Sequence, residues 1–177
     1  MGRPFFITGL PRSRTAWLAN LFTHGDSFCW HEGVPRWGGL AGLQRAMRLR
    51  TERFVGTADP SLLMCQDRAR AMFPGATWIL VARRPEHVAL SLDAMEVPAL
   101  ACNDNARAVV RLDQEMERLA QRPDVHVFYY EELDELPLLL EMADLVTPGQ
   151  GIDVDRWEML RGLQVQVYEP NYLPEMV

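Results

Sequence analysis

Short apolar runs rich in β-branched and aromatic residues alternate along this chain with longer stretches of helical period. Continuous apolar runs fit strands of a parallel sheet, because helices cover both faces of such a sheet. The pattern places strands near Phe5 to Thr8, Ser27 to Trp30, Phe54 to Thr57, Thr77 to Ala82 and Val125 to Tyr129. Between them, apolar positions recur at three- and four-residue steps, which puts them on one side of a helix. Trp17, Leu18, Leu21 and Phe22 share one such face, and Leu40, Leu43 and Met47 another, with Arg45, Arg48 and Arg50 mainly on other faces. Pro60 can open the next helix, since its missing N–H is not needed in a first turn, and Leu62, Gln66, Ala69 and Phe73 follow on one side. Val109, Leu112, Met116 and Leu119 mark the clearest amphipathic helix, with Pro123 beyond its end. This alternation predicts a three-layer α/β fold with a mostly parallel five-stranded sheet flanked by helices.

At 177 residues the chain fits one domain of the usual ~100–200 residues. Residues 1–146 are assigned to it. The remainder, 147–177, holds Pro148, Gly149 and Gly151 and reads as a tail with a short helix around Trp157 and Leu160. It is expected to pack on the domain or on a partner, so a homodimer is compatible with the sequence. No apolar run approaches the ~20 residues of a membrane span, and Met1-Gly2-Arg3-Pro4 leads into Phe5 without a secretory-type apolar stretch. The expectation is a cytoplasmic protein without membrane contact. Cys29, Cys65 and Cys102 are odd in number and widely spaced, which suits buried thiols better than disulfides or a metal site.

Charge is unevenly spread. Residues 1–84 carry twelve Arg against five Asp or Glu, and residues 85–177 carry six against nineteen. All eighteen basic residues are Arg, so no lysine chemistry is available. The acidic second half argues against extended nucleic-acid binding, which needs a basic stripe rather than one pocket.

The positive half contains the segment with the most chemical content. A strand running to Thr8 is followed by Gly9-Leu10-Pro11-Arg12-Ser13-Arg14-Thr15 and then by a helix. A helix N-terminus presents unpaired N–H groups and partial positive charge, and Arg12 and Arg14 add donors, so the segment suits an anion. Against the Walker pattern Gly-x-x-x-x-Gly-Lys-Ser/Thr, Gly9 fits, but Arg14 holds the second glycine position, Thr15 the lysine and Ala16 the magnesium-binding hydroxyl. Magnesium-dependent phosphoryl transfer would have to find its metal elsewhere.

The run Pro11-Arg12-Ser13-Arg14-Thr15-Ala16-Trp17-Leu18 resembles the loop of sulfotransferases that use 3′-phosphoadenosine 5′-phosphosulfate (PAPS), which reads Pro-Arg/Lys-Ser-Gly-Thr-Thr/Ser-Trp-Leu. The resemblance is nearest to the carbohydrate and protein-tyrosine types. It implies a fold like that of P-loop-containing nucleotide hydrolases, with PAPS as donor and no metal. It also implies that Pro11, Arg12, Ser13, Arg14, Thr15, Ala16 and Trp17 form the loop that binds the phosphosulfate end, with Arg12 additionally stabilising charge on the bridging oxygen. Arg14 departs from the family glycine. If that position needs a positive φ, arginine is strained there.

A second stretch, Val81-Ala82-Arg83-Arg84-Pro85-Glu86-His87 through Ser91, is similar to the family's Val-x-Arg-x-Pro-x-Asp-x-x-x-Ser, which implies that Arg83 and Ser91 hold the donor's 3′-phosphate. His87 replaces the aspartate. Phe128-Tyr129-Tyr130-Glu131-Glu132-Leu133 looks like a late family strand ending in Tyr-Glu-Asp-Leu, where Glu131 and Glu132 are an ordinary charged strand end. The resemblance spans about residues 4 to 135, and the family's later glycine-rich segment is not visible.

Sulfuryl transfer needs a group to take the acceptor's proton. Glu32, in His31-Glu32-Gly33 after the second strand, stands where the family's carbohydrate and protein-tyrosine members have a glutamate. His31 is the alternate base or an orienting partner, and it cannot point the same way as Glu32 if the strand continues through both. Asp59 could also face the site. The reading is therefore a sulfotransferase acting on a hydroxyl or amine of a small-molecule or carbohydrate acceptor. A P-loop-type kinase and a catalytically inactive nucleotide-binding protein are the alternatives. Residues 35–53 and 97–105 are the segments expected to choose the acceptor.

Overall fold

A computed structural model describes residues 2–94 and 104–162. Cys102, residues 97–103 of the second acceptor segment and the tail beyond Gly162 lie outside the described residues. Five parallel strands form one sheet in the order β2-β3-β1-β4-β5: β1 Arg3–Gly9, β2 Ser27–His31, β3 Phe54–Ala58, β4 Thr77–Ala82 and β5 Val125–Tyr129. All five were legible as apolar runs. In register, Ile7 lies opposite Ala58 on one side and Ile79 on the other, and Gly9 lies opposite Val81. From central β1 the chain passes first towards β2 and β3, then crosses to β4 and β5. The carboxyl ends of β1 and β4 thus border the switch point, where open α/β sheets bind ligands.

Successive side chains of a strand face opposite layers, so β1 feeds two cores. Phe6, with Trp78 and Leu80, packs beneath α3 (Leu40–Leu49), α4 (Leu62–Met72), α5 (Pro85–Asp93) and α6 (Asn105–Ala120). The Phe6 ring meets those of Phe73 and Trp78 at centroid distances of 5.0 and 4.9 Å. Phe5 and Ile7, with Ile79 and Val81, pack beneath α1 (Thr15–Leu21), α7 (Leu136–Val146) and α8 (Val154–Gly162). Gly56 of β3 must be glycine, because a Cβ there would sit 2.4 Å from the Phe5 ring.

Three details differ from the sequence reading. The α7 helix went unassigned although Pro137 lies in its first turn and Leu139, Met142, Ala143 and Val146 form its buried stripe. A very short α2 (Gly33–Arg36) follows β2 directly. Pro60 lies in a turn ahead of α4, with Leu63 N donating to its carbonyl at 3.2 Å. Residues 148–162 lie against the body beside the α1–β2 turn: Asp26 N donates to Gln150 Oε1 at 2.9 Å, and Trp157 and Leu160 of α8 are buried with α1. No described helix is long and apolar enough to cross a membrane.

Candidate anion site at the carboxyl ends of β1 and β4

Gly9 ends β1 hard against β4, since a Cβ at this position would lie 2.4 Å from the Val81 carbonyl oxygen. The chain then buries Leu10 and turns twice through left-handed backbone before α1 begins, at Arg12 (φ 67°) and Arg14 (φ 58°). Each such residue other than glycine is disfavoured by about 1–2 kcal/mol. The condition under which Arg14 would be strained is therefore met, and Arg12 is a second such position that the sequence did not reveal. No side chain caps α1.

These turns aim the loop at the next strand end. Arg12 Nε donates to Ser91 Oγ of α5 at 3.2 Å. Arg83, just past β4, donates through Nη1 to the Arg12 carbonyl and lies 4.0 Å from the centre of the Tyr130 ring. Arg14 makes a bidentate pair with Asp134, Nη1 to Oδ1 at 2.6 Å and Nη2 to Oδ2 at 3.1 Å. Its guanidinium also lies 5.2 Å from the Tyr130 ring and 5.7 Å from Trp17. Arg12 and Arg83 thus bond to neutral partners, a hydroxyl and a carbonyl, and no described residue neutralises their charge by direct contact. Burial lowers the pKa of Arg83, as do the neighbouring cations Arg12 and Arg14, while Tyr130 and Glu131 oppose the shift.

Two polar atoms of this cluster are buried without a hydrogen-bond partner among the described residues, Ser13 Oγ and Arg83 Nε. Buried polar groups are nearly always paired, so orphaned donors beside unneutralised cations fit a phosphate- or sulfate-bearing ligand. Trp17 is a core residue, and Pro11 and Ala16 are half-buried. A cavity of about 440 Å³ adjoins the cluster, lined by Ala82, Arg83, Arg84, Tyr129, Glu131 and Glu132. No site role for Tyr130 or Asp134 was legible in the sequence, because they join the site through the β5–α7 connection, far from the loop and from the Arg83 motif.

His31 and Glu32 flank the loop on the β2 side. Thr15 Oγ1 lies 3.5 Å from His31 Nε2, and Glu32 Oε1 lies 3.8 Å from the same nitrogen. The strand ends at His31 and Glu32 turns to φ 52°, so adjacent side chains meet where a continuing strand would have sent them apart. Burial lowers the His31 pKa, against the pull of the Glu32 and Asp59 carboxylates in the other direction. Glu32 is the more exposed, 56% against 32% for the His31 side chain.

Asp59 is held by hydrogen bonds to the surrounding chain. It is fully buried: Oδ2 accepts from Val34 N at 2.8 Å, and Oδ1 accepts from Ser61 N at 2.8 Å and Ser61 Oγ at 2.6 Å. Both carboxylate oxygens tie down the backbone around α2 and the start of α4, which is a structural task.

No protein-family model matches the sequence, and comparison with curated proteins gives no match. Solved structures do match. The sulfotransferase domain from the curacin biosynthetic pathway superimposes with a TM-score of 0.54 at 17% identity, over 85% of this chain and 79% of that one. A sulfotransferase from Alicyclobacillus acidocaldarius gives 0.58 at 20% identity, over 90% of each chain. Mouse sulfotransferase SULT7A1, complexed with PAP, gives 0.55 at 16% identity, over 90% of this chain and 64% of that one. The chain therefore has a sulfotransferase-like α/β fold.

Proposed function

We propose that this protein is a sulfotransferase of the cytoplasm that uses PAPS as donor and a hydroxyl or amine of a small-molecule or carbohydrate acceptor. The observation that carries the reading is the convergence of Arg12, Arg83 and Ser91 at the switch point of a sulfotransferase-like sheet, with Ser13 Oγ and Arg83 Nε buried and unpaired among the described residues. One structural neighbour is complexed with PAP, which supports an adenosine phosphate in the equivalent place here.

The donor, when bound, supplies an activated sulfuryl group on a phosphate leaving group. Arg12, the Ser13 and Thr15 hydroxyls and the loop N–H groups hold its phosphosulfate end, and fixed donors of this kind also stabilise charge that develops on the leaving oxygen. Arg83 and Ser91 hold the 3′-phosphate. Glu32, the more exposed of the flanking pair, takes the acceptor's proton, and His31 lies between Glu32 and Thr15 to orient it.

Transfer of radiolabelled sulfuryl from PAPS to a panel of alcohols, amines and sugars tests the proposal. The expected result is transfer to at least one acceptor, reduced about 10²- to 10⁴-fold by Glu32→Gln, the usual range for a general base. Unchanged transfer in that variant would remove Glu32 from the reaction. Turnover of magnesium ATP with no sulfuryl transfer would replace the reading by a phosphoryl one.

A further inference from the structure

We propose that Asp134 is a positioning residue for the anion loop, holding it through Arg14 in the left-handed turn that starts α1. The inference rests on the reading that this loop holds the donor's phosphosulfate. It begins with a conflict inside the chain: position 14 needs φ 58°, and the residue there is arginine. Left-handed backbone disfavours such a residue about five- to thirty-fold, so something outside the loop must hold the turn.

The Arg14 side chain supplies that hold. Its two terminal nitrogens grip the two oxygens of Asp134 at 2.6 and 3.1 Å, and its guanidinium lies 5.2 Å from the Tyr130 ring and 5.7 Å from the Trp17 ring. A planar fork gripping a planar carboxylate fixes orientation as well as distance, which a single point charge would not do. Asp134 is itself supported. Its neighbour Leu133 is fully buried, and Glu135 N donates to the Glu132 carbonyl at 3.0 Å, fixing the turn between β5 and α7. The hydrogen bond and charge of Arg14, joined by Arg161 of α8, hold the Asp134 carboxyl below the usual carboxylate range.

Exposed ion pairs as a class contribute little to stability. The Asp134 pair differs in what it restrains, because Arg14 is also the residue whose carbonyl accepts the first hydrogen bond of α1, from Leu18 N at 2.9 Å. A release of the guanidinium lets residue 14 relax out of the left-handed region, and the loop leaves the geometry that places Arg12 against Ser91. The substitution that should make Asp134 dispensable is therefore Arg14→Gly, since glycine adopts positive φ freely.

Amide hydrogen exchange at Leu18 and calorimetric titration with 3′,5′-adenosine bisphosphate, in wild type, Asp134→Asn, Asp134→Glu, Arg14→Gly and the Arg14→Gly/Asp134→Asn double variant, test this. Asp134→Asn should speed Leu18 exchange and weaken bisphosphate binding, each by about five- to thirty-fold, with most of the loss recovered in Asp134→Glu. In the Arg14→Gly background, Asp134→Asn should change neither quantity by more than about two-fold. Unchanged Leu18 exchange in Asp134→Asn overturns the proposal, and so does an equal effect in the glycine background. A wild-type protein that shows the exchange pattern without binding bisphosphate leaves Asp134 in its positioning role and removes the donor reading instead.

Discussion

Arg12 Nε donates to Ser91 Oγ at 3.2 Å, although 79 residues separate the two along the chain. The bond joins the loop after β1 to the helix after β4. Arg83 closes the group by donating to the Arg12 carbonyl. If these residues hold the donor's phosphates, their loss should be read in affinity before stability. Arg83→Ala removes a half-buried cation and one charge-assisted hydrogen bond, worth about 1.5–3 kcal/mol, so bisphosphate binding should weaken about 10- to 100-fold. Ser91→Ala should weaken it by less, because it removes a neutral hydroxyl. Equal affinity in Arg83→Ala and wild type would take the 3′-phosphate away from this position.

His31 should remain neutral at a pH where an ordinary histidine is already partly charged. Burial depresses its pKa, with Glu32 and Asp59 acting in the opposite direction. The unfolded chain therefore binds a proton first as pH falls through about 6.5. The contribution of neutral His31 is present above that pH and is lost as pH falls towards the folded pKa. In an NMR titration the His31 ring should show a midpoint below 6.5, and Glu32→Gln should lower it further by removing a carboxylate that favours the imidazolium. A midpoint above 6.5 would contradict the geometry.

Asp59 should prove structural. Asp59→Ala leaves the N–H groups of Val34 and Ser61 and the Ser61 hydroxyl without their acceptor in a buried setting. Loss of hydrogen bonds to a buried carboxylate should destabilise the fold by about 3 kcal/mol. Denaturant unfolding measures this. A variant as stable as wild type but lacking sulfuryl transfer would return Asp59 to the list of catalytic bases.

The five strands could be read from sequence because their apolar runs are short, dense and bounded by turn residues. In β1, β3 and β4 one-dimensional pattern and three-dimensional burial largely coincide, whereas in the edge strand β5 only Phe128 is buried. The loop Gly9 to Thr15 and the pair Arg83 and Ser91 could be read because each lies in a compact motif. What escaped belongs to contacts between distant segments. Tyr130 lies within what read as an ordinary strand end and Asp134 just beyond it, and only the fold brings them to Arg14. The meeting of His31 and Glu32 depends on a left-handed residue at position 32, a backbone conformation that residue type alone does not announce. The hydrogen bonds that hold Asp59 were equally illegible, since Val34 and Ser61 donate to it largely through backbone groups that leave no trace in side-chain pattern. The α7 helix is a different case: its stripe from Leu139 to Val146 was visible, but no element was assigned to it.

The central claim is that the loop after β1 serves an adenosine bisphosphate-type ligand rather than a magnesium triphosphate. Isothermal titration of the protein with 3′,5′-adenosine bisphosphate, alongside ATP with and without magnesium, tests it most directly. The account expects micromolar binding of the bisphosphate, independent of magnesium and weakened by Arg83→Ala. Binding of magnesium ATP with no detectable affinity for the bisphosphate would contradict it.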